Sequence, residues 1–378
     1  IPGPIFAPDW SGHHLRDPSR SISRRTERPA QIPTYTNIPR TMKSSLLLPF
    51  VTLASAICHH RTSLYRRSHG GIAARGEDGL VEVAKFGYDD LTGPLNWHGH
   101  NNQSSKCATG AWQSPINLND TSATLVAGTS LTFDVPNLPH GAAFENLGST
   151  LEVVAENGTL TRRGRKFHLR QFHFHTPSEH RVDSEYFPME VHFVFEADEQ
   201  QLKSEPPLPF PSLLYEFLVL VKTMSQETQL VQTCFYGFLF TVQIWRPVDH
   251  STGPSNSVVG FLIEVDNSAP SPFLANVFAH LDEVEKPGSH AETGELDFGE
   301  LKRLLEGSDV YQYDGSLTTP PCTEGIAWNV VAEPLRVDDV TYRAAKKVMK
   351  FNSRYTQNVP GQRNLLENSR VMLNAMSP

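Results

Sequence analysis

Cysteine is scarce in this chain: four among 378 residues, Cys58, Cys107, Cys234 and Cys322. No two are spaced as CxxC, which argues against a cysteine-built zinc site. Long apolar runs are missing too, and none reaches the roughly 20 residues of a membrane-spanning helix. Basic residues are outnumbered, 33 Lys and Arg against 41 Asp and Glu, for a formal charge of −8. That balance gives no reason to expect nucleic acid or an anionic membrane surface as a partner. No internal repeat is present. What remains is a composition with 39% hydrophobic and 20% charged residues, the profile of a globular protein with a real core. The length suits one large domain or two modest ones.

The first methionine is Met42. Lys43, the apolar stretch Leu46 to Leu53 and the small-residue site Ala54-Ser55-Ala56 follow in the order of a signal peptide, predicted over 42–56, and so predict secretion. Residues 1–41 are rich in Pro, Ser and Arg and lack periodicity; they are expected to be a non-native or disordered N-terminal extension. Residues 57–80 are expected to be a propeptide or linker, with Arg66-Arg67 a candidate processing site. The folded domain is then 81–378, interrupted by an atypical insertion at about 197–255. That segment holds Pro206-Pro207-Leu208-Pro209, apolar patches at Phe217–Val221 and Phe235–Ile244, and the isolated Cys234. Long structureless loops within a domain are uncommon, so a retained intron or a lineage-specific loop is expected here.

From Val81 onward, short β-branched and aromatic runs are cut by Gly, Pro, Asn and Asp, which predicts a β-rich domain. Strands are expected at Leu151–Ala155, Lys166–His175, Glu190–Phe195 and Val258–Val265, and helices at Phe298–Leu305 and Val340–Phe351.

Gln171-Phe172-His173-Phe174-His175 alternates polar and aromatic residues. On a strand, Gln171, His173 and His175 share one face while Phe172 and Phe174 point into a core. Glu190-Val191-His192-Phe193-Val194 repeats the pattern. If the two strands are neighbours, three imidazoles converge, leaving a fourth tetrahedral zinc position open, the mark of a catalytic site. Gln171 and Glu190, each two residues before a ligand, are placed to accept the other ring N–H. Alternating histidines can also be merely solvent-facing; two such segments, each with a polar partner at the same offset, favour metal.

The run from Gln171 to His180, followed by Glu190-Val191-His192, resembles the zinc signature of the α-class carbonic anhydrases. Gly87-Tyr88, Asn96-Trp97, Gln113-Ser114-Pro115-Ile116, Tyr313, Gly315 to Pro321 and Trp328 extend the likeness over roughly Phe86 to Arg370. The resemblance implies a mainly β single domain with a few short helices, built on a large twisted, mostly antiparallel sheet of about ten strands. It implies Zn2+ as cofactor and reversible hydration of CO2 to bicarbonate and a proton, by attack of zinc-bound hydroxide. By matching position, His173, His175 and His192 would bind zinc. Thr318 would accept a hydrogen bond from the hydroxide and donate to Glu179. Val194, Val258, Leu317 and Ile326 would wall the CO2 pocket, with Thr319 beside them. Tyr88, Asn146 and Thr319 would hold water. A Cys107–Cys322 disulfide is also implied, as in extracellular members.

One position departs from the family pattern. Efficient members usually carry a proton-shuttling His where Ser149 stands, and serine does not titrate near neutral pH. His98 and His100 are candidate substitutes. Asn102-Gln103-Ser104, Asn119-Asp120-Thr121 and Asn157-Gly158-Thr159 are glycosylation sequons, compatible with secretion. The rival readings are a catalytically weak binding module of the same fold and a zinc-hydroxide esterase. The only partner expected is the small-molecule substrate.

Overall fold

The structure, a computed structural model, describes residues 80–197 and 254–376. The extension at 1–41, the signal peptide at 42–56, nearly all of the linker at 57–80 and nearly all of the insertion at 197–255 lie outside the described residues.

Among the described residues there are fourteen strands. They are β1 (Asn117–Leu118), β2 (Thr124–Ala127), β3 (Leu131–Asp134), β4 (Ala143–Asn146), β5 (Leu151–Val154), β6 (Thr159–Arg162) and β7 (Arg165–His175). β8 (Arg181–Val182), β9 (Glu185–Tyr186), β10 (Met189–Ala197), β11 (Asn256–Val265), β12 (His290–Glu292), β13 (Asp309–Ser316) and β14 (Glu324–Val337) complete them. Eleven form one sheet in the order β12-β4-β5-β7-β10-β11-β14-β13-β2, with β6 pairing β7 and β3 pairing β6. Only the β11–β14 pair in that sheet is parallel. The mainly β, mostly antiparallel architecture expected from the sequence is therefore observed, and each of the four expected strands is present within two residues.

The period-two pattern divides the sheet into two faces. On one, Phe172, Phe174, Phe193, Phe195 and Phe261 are buried in the main core, and the Phe172 and Phe193 rings stack with centroids 4.6 Å apart. Short helices cover this face. Helix Pro272–Val277 starts with proline in its first turn and is capped by Ser271, whose hydroxyl accepts from Leu274 N at 3.2 Å. The helix expected at Val340–Phe351 is Asp339–Met349, capped by Asp338, which accepts from Thr341 N at 2.9 Å. The other expected helix is Gly299–Gly307, which buries Leu301 and Leu305. No helix among the described residues is long and apolar enough to cross a membrane.

The opposite face carries the polar residues of β7 and β10. Two glycines make room there. Gly260 on β11 pairs with His192, and a Cβ at that position would sit 3.2 Å from Glu190 Oε1. A Cβ on Gly315 would run into Ser114 Oγ.

Candidate metal centre

β7 and β10 are antiparallel neighbours, with His192 opposite His173 and Glu190 opposite His175. Opposed residues share a face, so all three histidines point the same way. Their ring centroids lie 5.1 Å (His173–His175), 5.3 Å (His173–His192) and 4.6 Å (His175–His192) apart. One ring nitrogen from each falls within 4.8 Å of the others. All three side chains are buried.

Each ring has one nitrogen engaged by an oxygen. His173 Nδ1 meets Gln171 Oε1 at 2.9 Å, His175 Nδ1 meets the Asn352 carbonyl at 2.9 Å, and His192 Nε2 meets Glu190 Oε1 at 2.8 Å. These oxygens accept, so the ring protons sit on the outer nitrogens and lone pairs face inward. Burial lowers the pKa of all three histidines, His175 to about 4, and the neighbouring rings push His173 further down. They are held neutral, the form that binds a metal. His175 Nε2 is buried with no hydrogen-bond partner among the described residues. Three inward imidazole nitrogens, with no thiolate beside them among the described residues, suit zinc with a coordination position left over.

Behind the triad, one carboxylate organises the backbone. Burial alone would raise the Glu190 pKa, but the His180 and His192 rings and their hydrogen bonds overcome that and hold it well below the usual range. Glu190 Oε2 accepts from the backbone N–H groups of Glu179 at 2.8 Å and His180 at 2.9 Å. Its Oε1 receives His180 Nδ1 at 2.7 Å, while His180 Nε2 lies 2.7 Å from Tyr313 OH, which donates to Ser114 Oγ at 2.8 Å.

Glu179 itself is fully buried. Its Oε2 stands 3.5 Å from His175 Nε2 and 4.0 Å from His192 Nδ1. Burial pushes its pKa up to about 7, against the pull of His192, Thr318 and the Arg354 backbone N–H. Thr318 thus acts on the carboxyl, yet Oε2 has no well-formed hydrogen bond among the described residues. Arg354 N donates to Oε1 at 2.8 Å. Burial lowers the Arg354 guanidinium to about 10.

A family model described as "Eukaryotic-type carbonic anhydrase" matches residues 92–229 and 248–376. The chain belongs to that family. The break in the match, 230–247, falls inside the span the sequence marks as foreign. The carbonic anhydrase of Neisseria gonorrhoeae is 30% identical over 248 residues, 65% of this chain and 73% of that protein. A fungal α-carbonic anhydrase structure from Aspergillus oryzae aligns with TM-score 0.59 at 37% identity, covering 76% of this chain and 98% of that one. The α-carbonic anhydrase of Thermovibrio ammonificans, solved with sulfanilamide, aligns with TM-score 0.53 at 26% identity, covering 74% and 97%. Hydration of carbon dioxide is the activity that comes with the family.

A small pocket lies beside the proposed metal centre. Phe86, Tyr88, Leu147, Ser149, Thr150 and Thr319 line it beside His173 and His175. Ser149, the residue at the position matched to the family's shuttle, is among them. His98 and His100 are exposed and do not line it. Tyr88 OH is buried without a hydrogen-bond partner among the described residues. Val258, Ile326 and Trp328 share one apolar cluster with Val194 and Leu317 packed on it; none of them lines that pocket. Asn146 does not line it either: its amide donates to Val284 O at 2.7 Å, and its Oδ1 accepts from Gly148 N at 2.8 Å. It shapes the turn that carries Ser149.

Cys107 and Cys322 are disulfide-bonded, with Cα atoms 5.1 Å apart. The bond anchors the end of the Leu317–Pro321 loop, where Cys322 N also donates to Thr319 O at 2.9 Å. Sequence reasoning missed Asn352, whose role is played by a backbone carbonyl, and Arg354. His180, Tyr313 and Ser114 lie in the motif blocks, but their linkage to Glu190 required the fold.

Proposed function

We propose that this carbonic anhydrase hydrates CO2 with Zn2+ held by His173 Nε2, His175 Nε2 and His192 Nδ1. The observation that carries the reading is the convergence of three proton-free inner nitrogens whose outer nitrogens are already occupied. Bound zinc supplies Lewis acidity that makes water nucleophilic near neutral pH, a chemistry for which carbonic anhydrase is the standard example. Gln171, Glu190 and the Asn352 carbonyl fix the ring tautomers and orientations. In its ionised form Glu179 would accept from the Thr318 hydroxyl and so turn that hydroxyl's lone pair toward the site. Val194, Val258, Leu317 and Ile326 hold CO2, which has no charge to anchor, and Thr319 and Tyr88 bind water. Ser149 has no titrating group, so proton release depends on external buffer.

Stopped-flow hydration with and without a chelator, alongside metal analysis, tests this. One zinc per chain and chelator-sensitive hydration are expected. Bound zinc without hydration would leave a binding module, and ester cleavage outrunning hydration would leave an esterase.

We propose further that 42–56 directs secretion, consistent with the disulfide and with exposed sequon residues Asn102 and Asn157. N-terminal sequencing of the secreted form checks it; a start within 1–41 would reject it. The reading of about 197–255 as an insertion is supported by the pairing of its flanks, since Ala197 N donates to Ser255 O at 2.8 Å and Glu196 pairs with Asn256. Replacing 198–254 by a short turn should leave zinc content and hydration unchanged.

A further inference from the structure

Two residues of the proposed centre, His175 and Glu179, lie four positions apart on one segment. The stretch Asn352–Arg354 runs beside that segment and grips it at successive points. The Asn352 carbonyl takes His175 Nδ1 at 2.9 Å, and Asn352 Oδ1 accepts from Thr176 N at 2.7 Å. Ser353 Oγ donates to Pro177 O, and Arg354 N donates to Glu179 Oε1 at 2.8 Å.

None of this uses the Arg354 side chain, which reaches the other way. Nη1 donates to Ser114 O at 2.7 Å, and Nη2 donates to Gln113 Oε1 at 2.9 Å and to Cys107 O at 3.3 Å. The guanidinium also lies over the Trp97 ring, 5.8 Å from its centroid. Gln113 continues the path, since its Nε2 donates to Cys322 O at 3.1 Å. Cys322 is both the disulfide partner of Cys107 and the end of the loop bearing Thr318.

Arg354 is 1% exposed. A buried cation adds little stability that a well-packed apolar side chain would not. What the planar fork does supply is fixed direction toward several acceptors at once, which lysine cannot reproduce.

We infer that Arg354 is a positioning residue: its guanidinium ties the stretch that grips His175 and Glu179 to the disulfide-held base of the Thr318 loop, so all three groups share one anchor. The inference rests on the zinc reading above.

The test compares wild type with Arg354→Met, Arg354→Lys and Gln113→Leu, each expressed as the full chain. The readouts are the rate of zinc release to a chelator, kcat and KM for hydration, and the thermal midpoint. Arg354→Met should release zinc about tenfold faster and lose about tenfold in kcat at unchanged KM, the lower end of what partners of metal ligands contribute. Arg354→Lys should recover part of both. Gln113→Leu, which cuts the link to Cys322 but keeps the buried cation, should shift both in the same direction by less; it decides the matter if Arg354→Met does not fold. A lowered midpoint with zinc release and kcat at wild-type values would overturn the inference. Wild type without zinc or hydration would instead overturn the metal centre itself.

Discussion

The two faces of β7 and β10 use the same strands and the same twist for opposite purposes. On one face Phe172, Phe174 and Phe193 are fully buried and bond with nothing; on the other, His173, His175 and His192 are nearly as buried, and each has a polar partner. The aromatic face gains from area removed from water and tolerates imprecise contacts. The histidine face gains little from burial, which lowers the pKa of every ring, and depends on oxygens placed 2.8 to 2.9 Å from the outer ring nitrogens. One face makes the sheet stable; the other makes it specific.

That contrast can be broken from either side. The largest effect is expected from His192→Ala, which removes a proposed ligand while leaving the aromatic face intact. Zinc affinity and hydration should fall by more than about 100-fold, beyond the range for outer partners of ligands, with far-ultraviolet circular dichroism unchanged. Next is Phe193→Ala, which should cost about 3–5 kcal/mol of folding stability in urea titrations while the folded fraction keeps its kcat.

Acidity should separate the faces more gently. In metal-free protein His175 has a pKa near 4 against an ordinary 6.5, and His173 and His192 are also low, so the unfolded chain binds protons that the folded one refuses. Their contribution to stability is present above about pH 6.5 and is lost as pH falls toward 4. Glu179, raised from 4.5 to about 7, works the other way, because the folded form retains a proton that the unfolded chain releases. Three histidines outweigh one carboxyl. Urea midpoints of metal-free protein should therefore rise between pH 4.5 and 6.5, by up to about 1.4 kcal/mol per pH unit for each net proton. A flat or falling curve would contradict the neutral triad. The smallest change is at the cleft rim: Ser149→His should raise turnover in weak buffer by roughly tenfold, below the full effect of a positioned acid–base group, and wild type should respond similarly to added imidazole.

How much of this could be read from the sequence follows the same division. Alternation along a strand is local, so the facing of His173, His175 and His192 was legible, as were Gln171 and Glu190 at the same offset. The strand core was legible for the same reason. Asn352 was not, because it serves through a carbonyl that every residue possesses, supplied from far along the chain. Arg354 carries no periodic signal, and its partners come from 107–114. The part Asn146 plays in the turn was not legible, because its type suits water as well as a turn; the Val284 carbonyl and the Gly148 N–H come only with the fold.

The joined ends at Ala197 and Ser255 have a practical use. A hairpin closed by its own ladder fixes where a connection leaves and re-enters the sheet, and each doubling of a flexible loop adds only about 0.6 kcal/mol of closure entropy. This spot is accordingly the place to try engineered cargo, such as a fluorescent reporter or an affinity handle, with zinc content and hydration as the check that the catalyst is undisturbed.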